Sequence, residues 1–415
     1  MSKLFISTAN AGKAHEADIF QLSVISPYTI TVSGDGYLKL WINKLQDNQS
    51  PKEFVFSHFV HKSGLHHVDS YYDHDVCIVT CVSFSGEIFM FQINTTEHTC
   101  EPIDLIKDDT LKKKSFWAVK WFKSQDLVVS HRFAATDVKG NTYVWKFSTG
   151  VKKNAQEMEQ DQRQRQGDGK RGEKKIVKEE EVQFAIGEPS MIFDGVIPPP
   201  SPSFAICLDI SPKGQIATGF SNGNVVVSQL STLRPIYTFE GFGIKGIAQN
   251  SSTIRNLKFS PLGNLLAVAN DSGSYGCITL YETEYGERIG NFSVPTHSNQ
   301  SSIGSFAHMG WVFGLSFNST GEVLASCGYD GKIRVWDIKL KERLSTINIS
   351  ANDIEIEQDI LTQDENGDSL LTPAVMDVSF IGKGIRGGMN SETNEGLVCV
   401  AMDRSVRWFR EAGGK

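Results

Sequence analysis

Three histidines and three aspartates recur at fixed distances from apolar residues. His15, His61 and His308 each stand four residues before an apolar residue that opens a short alternating segment (Ile19, Leu65, Val312). Asp35, Asp330 and Asp403 each stand six residues before an aromatic that closes another: Trp41, Trp336 and Phe409. A His–Asp pair is the material of general acid–base catalysis or of an activated nucleophile. Met once, it would be a candidate catalytic site. A spacing that returns three times along one chain reads instead as architecture. No nucleophile elbow, phosphate-cradling glycine loop or zinc-ligand spacing is present. The expectation is a non-enzyme with no metal and no cofactor.

The elements that position these residues are legible in the same stretches. Residues 326–337 read as two short strands joined by the turn Gly328-Tyr329-Asp330-Gly331, and Ser33-Gly34-Asp35-Gly36 followed by Leu38 to Trp41 repeats the unit. Taking Trp336 as a marker, equivalents stand at Trp41, Phe91, Trp145, Ser228, Tyr281 and Phe409. A second apolar strand precedes each marker, and a third, with apolar-x-x-apolar-x-apolar spacing, precedes that (Ile254, Leu257, Phe259; Val312, Leu315, Phe317). Turn signals separate them, such as Ser260-Pro261-Leu262-Gly263. Seven copies of a four-stranded unit predict an all-β, seven-bladed β-propeller. A single such sheet has two apolar faces, which only stacking on neighbouring blades can bury. The last copy leaves little chain after Phe409, so residues 3–9 are expected to supply its fourth strand and close the ring as a latch.

Two stretches break the pattern. Residues 151–183 hold nine Lys/Arg and eight Asp/Glu with few large apolar side chains, a composition that cannot offset its ordering entropy. A charged and Pro-rich disordered insertion is therefore expected over 150–200, between blades 3 and 4, ending in Ile197-Pro198-Pro199-Pro200. A second, acidic insertion is expected over 351–371, between blades 6 and 7. The net charge of −7 argues against a general affinity for nucleic acid. No apolar run approaches the roughly 18 residues of a membrane span, and the start has no secretory pattern. The seven cysteines are scattered without metal spacing and read as reduced core residues.

What remains is a binding platform. In each inner strand, the residue before the first apolar position and the one after it should line the narrow face of the ring. These slots are Asp18 and Phe20, Gly64 and His66, Ser115 and Trp117, Phe204 and Ile206, Thr253 and Arg255, Trp311 and Phe313, Ala374 and Met376. Tyr329, before the turn Asp of blade 6, joins them. Positions that normally meet solvent are here rich in aromatic and apolar residues, the mark of a protein interface. The partner-binding set is accordingly Asp18, Phe20, Trp117, Arg255, Trp311, Phe313, Tyr329 and Met376.

The wording of several segments goes beyond a generic repeat. Phe59-Val60-His61-Lys62-Ser63-Gly64-Leu65-His66-His67-Val68-Asp69, Ala135-Thr136-Asp137-Val138-Lys139-Gly140 and the tail from Arg407 to Lys415 resemble the WD-repeat (WD40) subunit of the fungal Superkiller (Ski) complex. The resemblance runs over the whole chain outside the charged loop. It implies that the His and Asp residues pair with a strand Ser or Thr and the Trp in a buried network. It also implies a scaffold in cytoplasmic messenger-RNA decay, bound to a tetratricopeptide-repeat subunit that carries a DExH-box RNA helicase and feeds the exosome. Restraint of double-stranded RNA viruses is implied too, as is a nuclear role in meiosis through a topoisomerase-like break-forming protein. Both partners would present a short Gln-Arg-containing motif to the narrow face, its Arg towards an acid such as Asp18. Two other readings stand beside it. A substrate receptor of a cullin-type ubiquitin ligase would carry Trp-Asp-x-Arg, but blade 6 reads Trp336-Asp337-Ile338-Lys339. An RNA-binding propeller would ring the opening with bases, and Arg255 is the only one in those slots.

Overall fold

The computed structural model describes residues 3–25, 27–43, 54–73, 76–95, 97–124, 131–150, 188–240, 252–294, 306–354, 371–382 and 395–412. They form seven antiparallel four-stranded sheets, six of which take their strands in chain order from the inner edge outward. Blade 1 is built from Ile19–Ile25, Tyr28–Ser33, Tyr37–Ile42 and Phe56–Phe59. The seventh sheet runs in the order Leu4–Ala11, Ser405–Ala412, Gly396–Ala401, Val375–Ile381. Its outermost strand is thus the amino-terminal one, pairing from Leu4↔Ala412 to Ala11↔Val406. A Lys3–Glu411 ion pair of 3.0 Å stands at its start. The seven-bladed WD-type propeller and its closure by the first strand both follow from this order. The strand is longer than the expected 3–9, because Ala9 and Ala11 are buried against the core between blades 7 and 1.

The ring is held by wedge-shaped contacts between sheets. Trp41, Trp145, Trp336 and Trp408 are almost wholly buried at these junctions. Each inner strand is an edge, and its free amides need partners. Side chains of the preceding blade supply several. Gln21 accepts from the Val68 amide at 2.7 Å, Asp69 from Trp121 at 2.6 Å, Asp209 from Phe259 at 2.8 Å, Ser316 from Phe380 at 3.1 Å and Asp377 from Leu22 at 3.2 Å. Lys120 lies between two of these carboxylates, 3.3 Å from Asp69 and 3.7 Å from Asp209. Burial disfavours its charge, yet the two carboxylates win and raise its pKa.

The expected insertion over 150–200 extends too far. Ser190–Ile197 is the outer strand of blade 3, with Phe193 against Trp145 and Ile197 in the core. Alternation in Met191 to Ile197 was outweighed by the adjacent charged run and the prolines that follow. The remainder, residues 151–187, lies outside the described residues. Of the expected acidic insertion over 351–371, Ala351–Asp353 forms a single 3-10 turn capped by Ser350, with Ile354 buried behind it. Residues 355–370 lie outside the described residues.

Candidate top-face binding site

Two features repeated in every blade build the narrow face. The first is a β-bulge near the start of the inner strand, where pairing skips between residues 19/21, 65/67, 116/119, 205/207, 254/256, 312/314 and 375/377. A bulge leaves an unpaired residue and turns its side chain out of the regular alternation. The residues turned out include Phe20, His66, Trp117, Ile206, Arg255, Phe313 and Met376. The second feature is one backbone hydrogen bond. A residue at the end of the second strand, the first beyond it in every blade but blade 5, donates its amide to the carbonyl of the residue before the inner strand. It occurs as Gly34 to Asp18, Phe84 to Gly64, Val138 to Ser115, Ser221 to Phe204, Asp271 to Thr253, Tyr329 to Trp311 and Met402 to Ala374, all within 2.8–3.2 Å. Each blade therefore places three residues at its top inner corner, one of them a glycine in blades 1 and 2.

Over blades 1 to 4 these corners join. Phe20 meets Phe84 edge-on at 5.1 Å, Phe84 lies 4.9 Å from His66, His66 stacks on Trp117 at 4.2 Å, and Trp117 meets Phe204 edge-on at 4.9 Å. These five rings form one arc, in which Phe84 keeps 46% of its surface exposed. A second cluster lies on blades 5 and 6. Trp311 and Tyr329 are 6.0 Å apart, and the Arg255 guanidinium stacks 4.4 Å over Trp311. Asp271 holds that guanidinium at 2.8 Å, and Trp311 donates to the Gly273 carbonyl at 3.2 Å.

The structure thus divides the expected partner-binding set. Phe20 and Trp117 belong to the arc, Arg255, Trp311 and Tyr329 to the second cluster. Phe313 is half-buried, its carbonyl accepting from Asn256 at 2.8 Å. Met376 is half-buried, packed against the core between blades 7 and 1. Asp18 is half-buried, and burial raises its carboxyl pKa against the opposing charge of Arg404. Sequence reasoning missed Phe84, Val138, Asp271 and Met402. Their signal was available: each occupies the position of Tyr329, which was singled out in blade 6 alone.

Beneath the corners lies the polar network. In blade 1, Trp41 Nε1 donates to Thr31 Oγ1 at 2.9 Å, Thr31 pairs with His15 Nε2 at 2.8 Å, and His15 Nδ1 lies 3.0 Å from Asp35. Blade 6 repeats the chain through Trp336, Ser326, His308 and Asp330 at 2.8, 2.7 and 2.9 Å. Burial lowers the pKa of both histidines despite their Asp partners. Burial alone would raise Asp35, but the His15 bond and the amides of Tyr37 and Glu16 bring it down to about 2. At neutral pH each chain is a neutral imidazole donating to a carboxylate, and both ring nitrogens are engaged. Such a histidine is a structural strut.

Two expected network members differ. His61 has no carboxylate beneath it, because the turn position of Asp35 is Ser85 in blade 2. Its ring bonds Ser63 at 2.7 Å and faces Glu87 at 3.3 Å near the surface. Asp403 has no histidine, because Leu371 occupies that position. Asp403 pairs with Ser405 and Arg407 instead, and Arg407 also donates to the Ser350 carbonyl at 3.1 Å. The seven cysteines are all free thiols, and burial pushes Cys77 up to about 12.

The fold and its corner networks define a WD-repeat propeller, and residues 300–337 match the family model "WD domain, G-beta repeat". The chain is 51% identical to "Antiviral protein SKI8" of Saccharomyces cerevisiae, with both chains covered in full. It is 24% identical to "Meiotic recombination protein rec14" of Schizosaccharomyces pombe, over 70% of this chain and 74% of the relative. The chain belongs to the Ski8 family of WD-repeat proteins.

Proposed function

We propose that this chain is a non-catalytic scaffold subunit of a Ski complex that uses its top face to hold short peptide segments of its partners. The observation that carries this reading is the arc from Phe20 to Phe204, a continuous row of rings at positions that ordinarily meet solvent. Aromatic anchors in a shallow row suit one or two apolar side chains of an extended peptide. In this reading the main partner is a tetratricopeptide-repeat subunit that also carries a DExH-box RNA helicase. The assembly assists the cytoplasmic exosome in 3′-to-5′ messenger-RNA decay, and the name of the relative SKI8 adds antiviral defence. The likeness to rec14 supports a second, nuclear role in meiotic recombination, where the partner is a topoisomerase-like break-forming protein. Direct binding of nucleic acid or membrane has no part in it.

The test is a pull-down of the tetratricopeptide-repeat subunit with full-length protein and its Trp117→Ala and Trp311→Ala variants, each checked for folding by thermal melting. Loss of capture by at least Trp117→Ala is expected. Unchanged capture by both variants would refute the top-face reading.

A further inference from the structure

His66 stands near the middle of the arc and differs from every other ring in it. It is only 7% exposed, stacked on Trp117 with an interplanar angle of 29° and tilted against Phe84. It is the residue skipped at the bulge of its strand, and its ring lies in the arc between Phe84 and Trp117. A bond with the Ser83 backbone engages one side of the ring, yet Nε2 is buried with no hydrogen-bond partner. Burial holds the ring well below the usual histidine range, at about 4, although the Ser83 bond opposes this. At physiological pH the ring is neutral, and with Nδ1–H committed to the Ser83 carbonyl, Nε2 carries a lone pair. Buried polar groups almost always find a partner, and an orphan calls for an explanation. The two network histidines, His15 and His308, have both nitrogens engaged. His66 has the donor side satisfied and the acceptor side open.

We propose that His66 is a specificity-determining residue of the top face, its Nε2 accepting a hydrogen bond from a neutral N–H of a bound peptide, on the main chain or on a side-chain amide. The proposal rests on the top-face reading above. Neutrality follows from the surroundings, since a cation buried between Trp117 and Phe84 would be stripped of water at high cost. A carboxylate would set lone pairs against a lone pair. Of the three rings against His66 (His67, Phe84 and Trp117), Phe84 is the exposed one, standing on a turn, and a peptide gains the nitrogen by moving it aside. His66 then reads hydrogen-bonding capacity, while the flanking rings read apolar bulk.

An array of overlapping 15-residue peptides covering the tetratricopeptide-repeat subunit, probed with the full-length chain, supplies the strongest binding peptide. Its affinity is then measured by fluorescence anisotropy for wild type, His66→Phe, His66→Gln and Trp117→Ala. His66→Phe is expected to bind at least about tenfold more weakly, or 1.4 kcal/mol, while melting within a few degrees of wild type, because loss of the Ser83 bond is offset by removal of an unpaired buried polar atom. His66→Gln, which restores an acceptor, is expected to recover part of the loss. Binding by His66→Phe within twofold of wild type, with Trp117→Ala still defective, overturns the role of His66 and leaves the top face standing. Binding unchanged in both variants, or no peptide bound by wild type, overturns both. A weaker His66→Phe that also melts several degrees lower and is not rescued by Gln marks a packing role and overturns the proposal.

Discussion

Blade 6 holds two layers within a few residues of each other, and they obey different rules. The buried layer, His308, Ser326, Asp330 and Trp336, is reproduced almost atom for atom in blade 1 by His15, Thr31, Asp35 and Trp41. The top layer, Trp311 and Tyr329 in blade 6, corresponds to Asp18 and Gly34 in blade 1. One layer repeats its side chains, the other only its backbone geometry. Repetition of side chains marks what the fold needs from each sheet. A repeated backbone frame carrying different side chains marks surface free to specialise. The same corner therefore carries a structural strut and, under the proposed function, a recognition residue, told apart by whether the neighbouring blades agree.

The largest effect that would sharpen this contrast is on stability. Trp336→Ala removes a wholly buried indole and leaves Ser326 without its donor. It is expected to cost about 3–5 kcal/mol in chemical denaturation, while partner affinity measured well below the melting transition changes little. A large affinity loss in a folded sample would blur the two layers. Trp117→Ala is expected to do the opposite. Binding should weaken by about 2 kcal/mol or more, since Trp117 links His66 to Phe204 in the arc, and stability should fall by less.

A third prediction concerns a buried carboxylate of an inner strand. Burial raises the Asp377 carboxyl to about 6, against the opposing pull of Lys258, Lys120 and the amides of Leu22 and Val378. A carboxylate raised by folding binds its proton more tightly in the native state, so its contribution is greatest below about pH 4 and is lost as pH rises through 6. The difference from an ordinary carboxyl corresponds to about 3 kcal/mol at most. Asp377→Asn should therefore gain stability relative to wild type between pH 4.5 and pH 7.5. Urea denaturation at the two pH values checks it, and a constant difference would contradict it. Asp35, held down at about 2, behaves oppositely: its contribution is present above about pH 4 and is lost as pH falls towards 2. The smallest effect belongs to His61. Lacking a buried carboxylate partner, His61→Ala should change stability by no more than about 0.5 kcal/mol, whereas His308→Ala should cost several times more. Equal losses in urea denaturation would restore His61 to the network.

The propeller was legible because its period is carried by residues that cannot be exchanged freely. Turn glycines such as Gly36 sit at positive φ, where a side chain would strike the His61 carbonyl. Trp41 and Trp336 fill the blade junctions. The latch was legible by subtraction, from a final sheet one strand short. The outer strand of blade 3 was not, because an outer strand needs only one buried face, and Ser190–Ile197 buries few side chains. The slots on the top face were read from the repeat, which returns them at the same place in every blade. Their grouping into an arc and a separate cluster did not, because it depends on which turns bear large side chains. Phe84, a turn residue like Tyr329, joins Phe20 to His66. Asp271 draws Arg255 down onto Trp311.

Cross-linking decides whether partners dock on the arc or on the outer rim. A photoreactive benzoylphenylalanine replaces Phe84 in the arc or Phe193 on the outer strand of blade 3, both exposed by just over 40%. Each protein is irradiated with the tetratricopeptide-repeat subunit. A covalent adduct is expected from position 84 and none from position 193. An adduct from 193 alone would place the interface on the rim and contradict it.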